Sequence, residues 1–240
     1  MESFDNAAFL EMTAWQSRMQ RKPSVVNRLS KRVQDKLNSY IPDKVHRAIT
    51  VAIQKMIEGV LFGSKYVSSK PLQGVPLSER ELKVDKRVEF YRGTAVTEGA
   101  VTGAGGILLG LADFPLLLGI KIKMLYDIAA LYGFNVSDYR ERLYLLNIFQ
   151  LAFSSQKHRN LVYEKLITWD EYHRSLPEKV EEFDWRTFQQ EYRDYIDLAK
   201  MAQLVPVIGA AVGAIANYKL INQLAITAKN AYRMRHFAAR

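Results

Sequence analysis

Apolar residues recur at helical spacing along most of this chain. Val26, Leu29, Val33, Leu37 and Tyr40 follow Pro23 and Ser24 at intervals of three and four, which predicts an amphipathic helix over about 24–40. Ile41-Pro42-Asp43 ends that segment, and a second helix is expected from Lys44 to about Tyr66. Residues 68–77 hold two prolines, a glycine and two serines, the composition of a loop. Ser78 with Glu81 reads as a capping box, and Val84, Val88, Tyr91 and Ala95 then mark one face of a third helix. Gly133-Phe134-Asn135 reads as a helix stop. Further helices are expected from Tyr139 to about Phe153, from Asn160 to Glu171 and after Asp184, and the segment from Leu204 makes a long terminal helix with basic residues at its end. No run alternates apolar and polar residues as a half-buried strand does. The reading is an all-α fold, a single multi-helix domain over 1–240.

The glycines add a second pattern. Eight of the thirteen fall in four G-x-x-x-G pairs: Gly59/Gly63, Gly99/Gly103, Gly106/Gly110 and Gly209/Gly213. Within EGAVTGAGGILLGLADFPLLLGIKIK the small residues line up as one helical stripe. Each glycine in a helix costs roughly 1 kcal/mol relative to alanine, and close packing between helices is the usual compensation. Tightly packed, Gly-striped central helices are therefore expected. Residues 99–112 carry no charge, and as a helix they would be about 21 Å long, against ~30 Å of bilayer hydrocarbon. That length leaves two readings open: a core buried in protein, or a hairpin dipping into lipid.

Charge separates the chain into regions. Of the net +9, the stretch from Arg18 to Arg47 carries nine bases against two acids, and Lys219 to Arg240 carries five bases and no acid. A basic surface facing something anionic follows. Arg28, Lys31, Arg32 and Lys36 on the first helix, with Arg233 and Arg235 at the end, are the candidate contacts to anionic lipid. No nucleic-acid-reading module stands out, so nucleic acid is the weaker partner. The chain has no cysteine and no secretory signal at its start, which fits a cytoplasmic protein, peripheral at the inner membrane face.

Recognisable catalytic chemistry is scarce. The glycine-rich run lacks the third glycine of a dinucleotide fingerprint and the G-K-[ST] of a phosphate loop, and the four histidines have no metal-ligand spacing. No cofactor is expected. Glu98 and Asp113 bracket the uncharged run and are the one carboxylate pair open to chemistry, though on one straight helix they would stand ~22 Å apart. Asp113 reads more simply as the cap of a helix begun by Pro115. Asn217, set among small residues, is a candidate for a hydrogen bond across the helix seam.

EGAVTGAGGILLGLADFP, DIAALYGF, VPVIGAAVGAIANY and the closing AYRMRHF together resemble the EcsC family of bacterial proteins over nearly the whole chain. The resemblance implies an accessory role beside an ABC transporter, whose components would be the partners, and it carries no agreed catalytic residues. The leading expectation is a non-enzymatic accessory protein at the membrane face. A soluble protein binding a lipid or apolar peptide, and a carboxylate enzyme using Glu98 and Asp113, are the alternatives. Oligomeric state is not indicated.

Overall fold

The fold comes from a computed structural model that describes residues 2–21, 43–62, 70–104, 106–154, 158–196 and 210–239. Side chains are described for these residues apart from 2, 43–46, 95, 98–112, 210–213 and 216. The described residues form nine α-helices: α1 (Glu2–Gln20), α2 (Asp43–Phe62), α3 (Leu77–Ala104), α4 (Gly106–Tyr132), α5 (Tyr139–Phe153), α6 (Arg159–Ile167), α7 (Trp169–Ser175), α8 (Trp185–Tyr195) and α9 (Ala210–Ala238). A 3-10 turn covers Val180–Glu182, and one isolated bridge joins Ser154 to Ile196. The all-α reading stands.

Local chemistry explains where the helices begin and end. Asp138 caps α5 by accepting from the Arg140 amide at 2.9 Å, and Asp184 caps α8 by accepting from the Thr187 amide at 3.2 Å. Gly133 closes α4 with φ +95°, and the amides of Gly133 and Phe134 bond back to the carbonyls of Ala130 and Ala129. The expected helix 160–171 is instead two short helices, broken at Thr168.

All nine helices meet in one hydrophobic core that runs from Ala8 and Trp15 to Tyr232. On α3, Leu77, Glu81, Val84, Val88 and Tyr91 turn inward at intervals of four and three. Among the described residues α3 packs most extensively against α9, and the same inward face meets α4, through Glu81 and Tyr91. Leu143 to Phe153 on α5 are buried continuously and form the floor.

Several expectations need correction. The helix over 24–40, with Arg28, Lys31, Arg32 and Lys36, lies outside the described residues. Ser78 stands inside the first turn of α3, and Glu81 does not reach back to it but points into the core. Asp113 does not cap a helix begun by Pro115, because α4 runs unbroken through both. Proline within a helix costs roughly 3 kcal/mol, and burial of Phe114, Leu117 and Leu118, at about 1.5–3 kcal/mol each, outweighs it. Gly59 is not a point of close approach, since a Cβ there would meet nothing within 4 Å. It lines a groove of about 220 Å³ between α2 and α4 with Met56, Pro115, Leu118, Gly119 and Ile122. Gly63 and Gly209 lie outside the described residues. Gly99, Gly103, Gly106, Gly110 and Gly213 fall on α3, α4 and α9, where only the backbone is described.

Candidate functional site

The register of α3, α4 and α9 defines the candidate site. Glu81 on α3 pairs with Arg233 on α9, and Arg92 pairs with Asn222, so the two helices run antiparallel in constant register. Tyr132 bonds Glu81 and Tyr91 bonds Asp127, which sets α4 antiparallel to α3 as well. Lys121 against Asn217, and Tyr132 stacked on Tyr232 at 5.3 Å, make α4 and α9 parallel. Three helices thus share one axis direction, and polar groups change along it.

At one end the buried charges are fully paired. Arg233 donates to both oxygens of Glu81 at 2.6 Å each and to Glu11 on α1 at 2.8 Å, with the Tyr132 hydroxyl and Lys229 completing the cluster. Burial pushes the Glu81 carboxyl up, but the Arg233 bonds and charge and the Lys229 charge more than reverse this, leaving it below its usual value. Arg235 binds both oxygens of Glu141 on α5 at 2.9 and 2.7 Å and lies 3.7 Å from the centre of the Phe134 ring. Burial holds Glu141 above the usual carboxylate value. Arg233 and Arg235 are therefore internal ties between helices, which corrects their assignment as lipid contacts.

Midway, Asp127 on α4 accepts from the Tyr91 hydroxyl at 2.7 Å and from Lys123 at 2.5 Å, with Arg87 at 3.6 Å. Burial and the Asp127 bond raise the Tyr91 hydroxyl well above its normal value.

Beyond that level the pairing changes. Lys121 is 0% exposed, and among the described residues its amine has only the Leu117 carbonyl at 3.4 Å and Asn217 Oδ1 at 3.3 Å. No carboxylate among the described side chains lies within ion-pair distance of it. Asn217, also 0% exposed, has no partner for its Nδ2 among the described residues. Burial alone brings the Lys121 amine down to about 7. Asn217 was legible as a seam residue; Lys121 was not, because GIKIK reads as a surface turn of helix.

Towards the far end lie three uncharged stretches, with Glu98 and Asp113 at their borders. Residues 99–104 of α3, 106–112 of α4 and 210–216 of α9 carry no ionisable side chain, and the register brings all three stretches to the same end of the fold. Several apolar side chains are open at its base: Val96 is 37% exposed, Leu116 52%, Ile215 56% and Tyr218 43%. Arg92 lies over the Tyr218 ring at 5.5 Å. Glu98 counts to the level of residue 216 on α3, with its side chain outside those described. Asp113 sits half-buried on α4, so the two expected carboxylates stand on opposite arms of the antiparallel pair formed by α3, which ends at Ala104, and α4, which starts at Gly106. The helical turn-back that would let them approach exists. The polar pair described here is instead Lys121 with Asn217.

The described helices thus form an all-α protein built on an antiparallel pair (α3–α4) clasped by a long terminal helix, with buried ion pairs gathered towards one end. The chain belongs to the EcsC protein family, whose model matches residues 6–237 and so reaches all nine helices above. It is 45% identical over 226 residues to Protein EcsC of Bacillus subtilis (strain 168), covering 94% of this chain and 93% of that one. It is also 30% identical over 148 residues to the uncharacterized protein YdbA of the same organism, covering 61% of this chain and 54% of that relative. No solved structure matches the chain.

Proposed function

We propose that this is a non-enzymatic accessory protein that seats its uncharged end on the membrane face, beside an ABC transporter. The observation that carries the membrane contact is the convergence of three uncharged helix ends at one pole. Each stretch is about 10 Å long, which matches the ~5–10 Å depth to which interfacial elements enter a bilayer. Exposed Val96, Leu116, Ile215 and Tyr218 would extend the apolar surface, and Arg92 stacked on Tyr218 is suited to reach the headgroups. Lys219 and Lys55 are exposed nearby, and the basic residues 18–47 add attraction of roughly 1 kcal/mol per charge at an anionic surface. No described helix is long and apolar enough to cross a membrane, so the proposal is for contact with one leaflet. The buried carboxylates Glu81, Asp127 and Glu141 are each bonded to a base, which favours a non-enzymatic role.

Vesicle flotation tests the membrane contact. The protein should float with vesicles rich in phosphatidylglycerol, and Leu116→Asp/Ile215→Asp should lose at least about tenfold in binding without a change in melting temperature. Unchanged flotation of that variant would contradict the reading. The transporter partnership comes from the family resemblance and is tested separately. Tagged protein extracted in mild detergent should carry a transporter ATPase subunit, and its consistent absence would count against the partnership.

A further inference from the structure

Lys121 and Asn217 hold hydrogen-bonding capacity that the fold leaves unused. An ammonium has three donors, and this one has two acceptors near the long limit of a hydrogen bond, at 3.3 and 3.4 Å. The Asn217 amide adds two more donors with no partner among the described residues. Both side chains are 0% exposed. Unpaired buried donors are costly and rare, and those here are all of one kind. Buried Arg233 and partly buried Arg235 each have a carboxylate, whereas Lys121 has none among the described side chains.

The complement of such a donor set is an oxyanion. Position narrows the class further. Asn217 directly follows the uncharged stretch 210–216, and Lys121 lies on the next helix at the same level. An anion bound to the pair from this end would have the rest of its body among uncharged helix ends. Small inorganic ions lack such a body; amphiphiles have one.

We propose that Lys121 and Asn217 receive the oxyanion of an amphiphilic ligand, a carboxylate or phosphate carried on a hydrocarbon that lies along the uncharged end of α3, α4 and α9. The amine, brought to about 7 by burial, is poised to hold its proton when an anion arrives and to release it when the site empties. Other charged groups at this level are Arg92 and Glu98 on α3, Asp113 on α4 and Lys219 on α9. This deepens the membrane reading, since the bilayer is the nearest source of such a ligand, but it rests on a different pair of residues.

The test uses the full chain, labelled with 13C-lysine, and dihexanoyl phosphatidate below its micelle concentration at pH 8. The probe should move the Lys121 Cε resonance to its ammonium position and raise the melting temperature. Lys121→Met should fold, melt at or above the wild-type temperature and bind the probe at least about tenfold more weakly. Asn217→Asp places a carboxylate on the pair and should shift the Lys121 resonance without ligand and exclude the probe, which keeps the proposal testable if Lys121→Met fails to fold. A resonance unmoved by the probe, or Asn217→Asp binding it normally, would overturn the site. Inorganic phosphate producing the same shift at the same concentration would overturn the amphiphile assignment in favour of a free-phosphate site. No vesicle is present, so failure here and failure of the membrane reading are separate results.

Discussion

Arg233 on α9 grips Glu81 on α3 through two parallel hydrogen bonds of 2.6 Å, with both side chains buried. This pair fixes the register that carries the uncharged stretches of three helices to one pole. Removing one partner leaves the other charge buried alone. Arg233→Met should therefore cost about 3–5 kcal/mol in urea unfolding.

The same pair gives a pH signature. The Glu81 carboxyl titrates below its unfolded value, so its stabilisation is full above the ordinary carboxylate range. It is lost as pH falls through the lower, folded value. The stability gap between wild type and Glu81→Gln should shrink in acid, measured as urea midpoints from pH 7 down to pH 3. A gap that stays constant would contradict the pairing.

Gly133 and Gly74 both have positive φ, at +95° and +68°, but different surroundings. A Cβ at Gly133 would stand 2.8 Å from Arg80 Nη1 and 2.9 Å from the Leu72 carbonyl, whereas one at Gly74 meets nothing within 4 Å. Gly74→Ala should cost about 1–2 kcal/mol for the left-handed conformation alone. Gly133→Ala should cost clearly more, since the Leu72 backbone must move. Thermal melts of the two variants give the comparison directly.

Lys121→Met should stabilise the protein at neutral pH. The folded lysine titrates near 7 and the unfolded one near its ordinary value, so the unfolded chain binds more protons between them. Wild-type stability should rise with pH across that window, relative to Lys121→Met. The advantage of the methionine variant should be greatest below pH 7 and fade towards pH 10. Arg92, Glu98, Asp113 and Lys219 are common to both proteins, so the difference isolates Lys121. Equal slopes would contradict its burial as an unpaired amine.

What the sequence conveyed depended on range. Local signals read correctly: the stripe Val84, Val88, Tyr91, the Asp184 cap and the Gly133 stop each lie within a few residues of the feature they specify. Helix α1 was harder to see, because exposed Phe9 and Leu10 blur the inward stripe of Ala8, Met12 and Trp15. Glu81 stands three residues after Ser78 and so mimics a capping box, while its true partner is far along the chain. Arg233 and Arg235 look like a basic tail for the same reason. Lys121 gave no signal, since a helix buried over most of its length hides a lysine that composition assigns to the surface. Asn217 was picked out by its small neighbours, without its partner.

The central claim is that the uncharged pole meets lipid. The chain has no cysteine, so single cysteines can carry a nitroxide label without background. With labels at Ile215→Cys and, as a distant exposed control, Glu171→Cys, power-saturation EPR would measure access to oxygen against a polar nickel chelate. On adding phosphatidylglycerol vesicles, the label at 215 should gain oxygen access and lose contact with the chelate, and the label at 171 should not change. A label at 215 as open to the chelate with vesicles as without them would contradict the account.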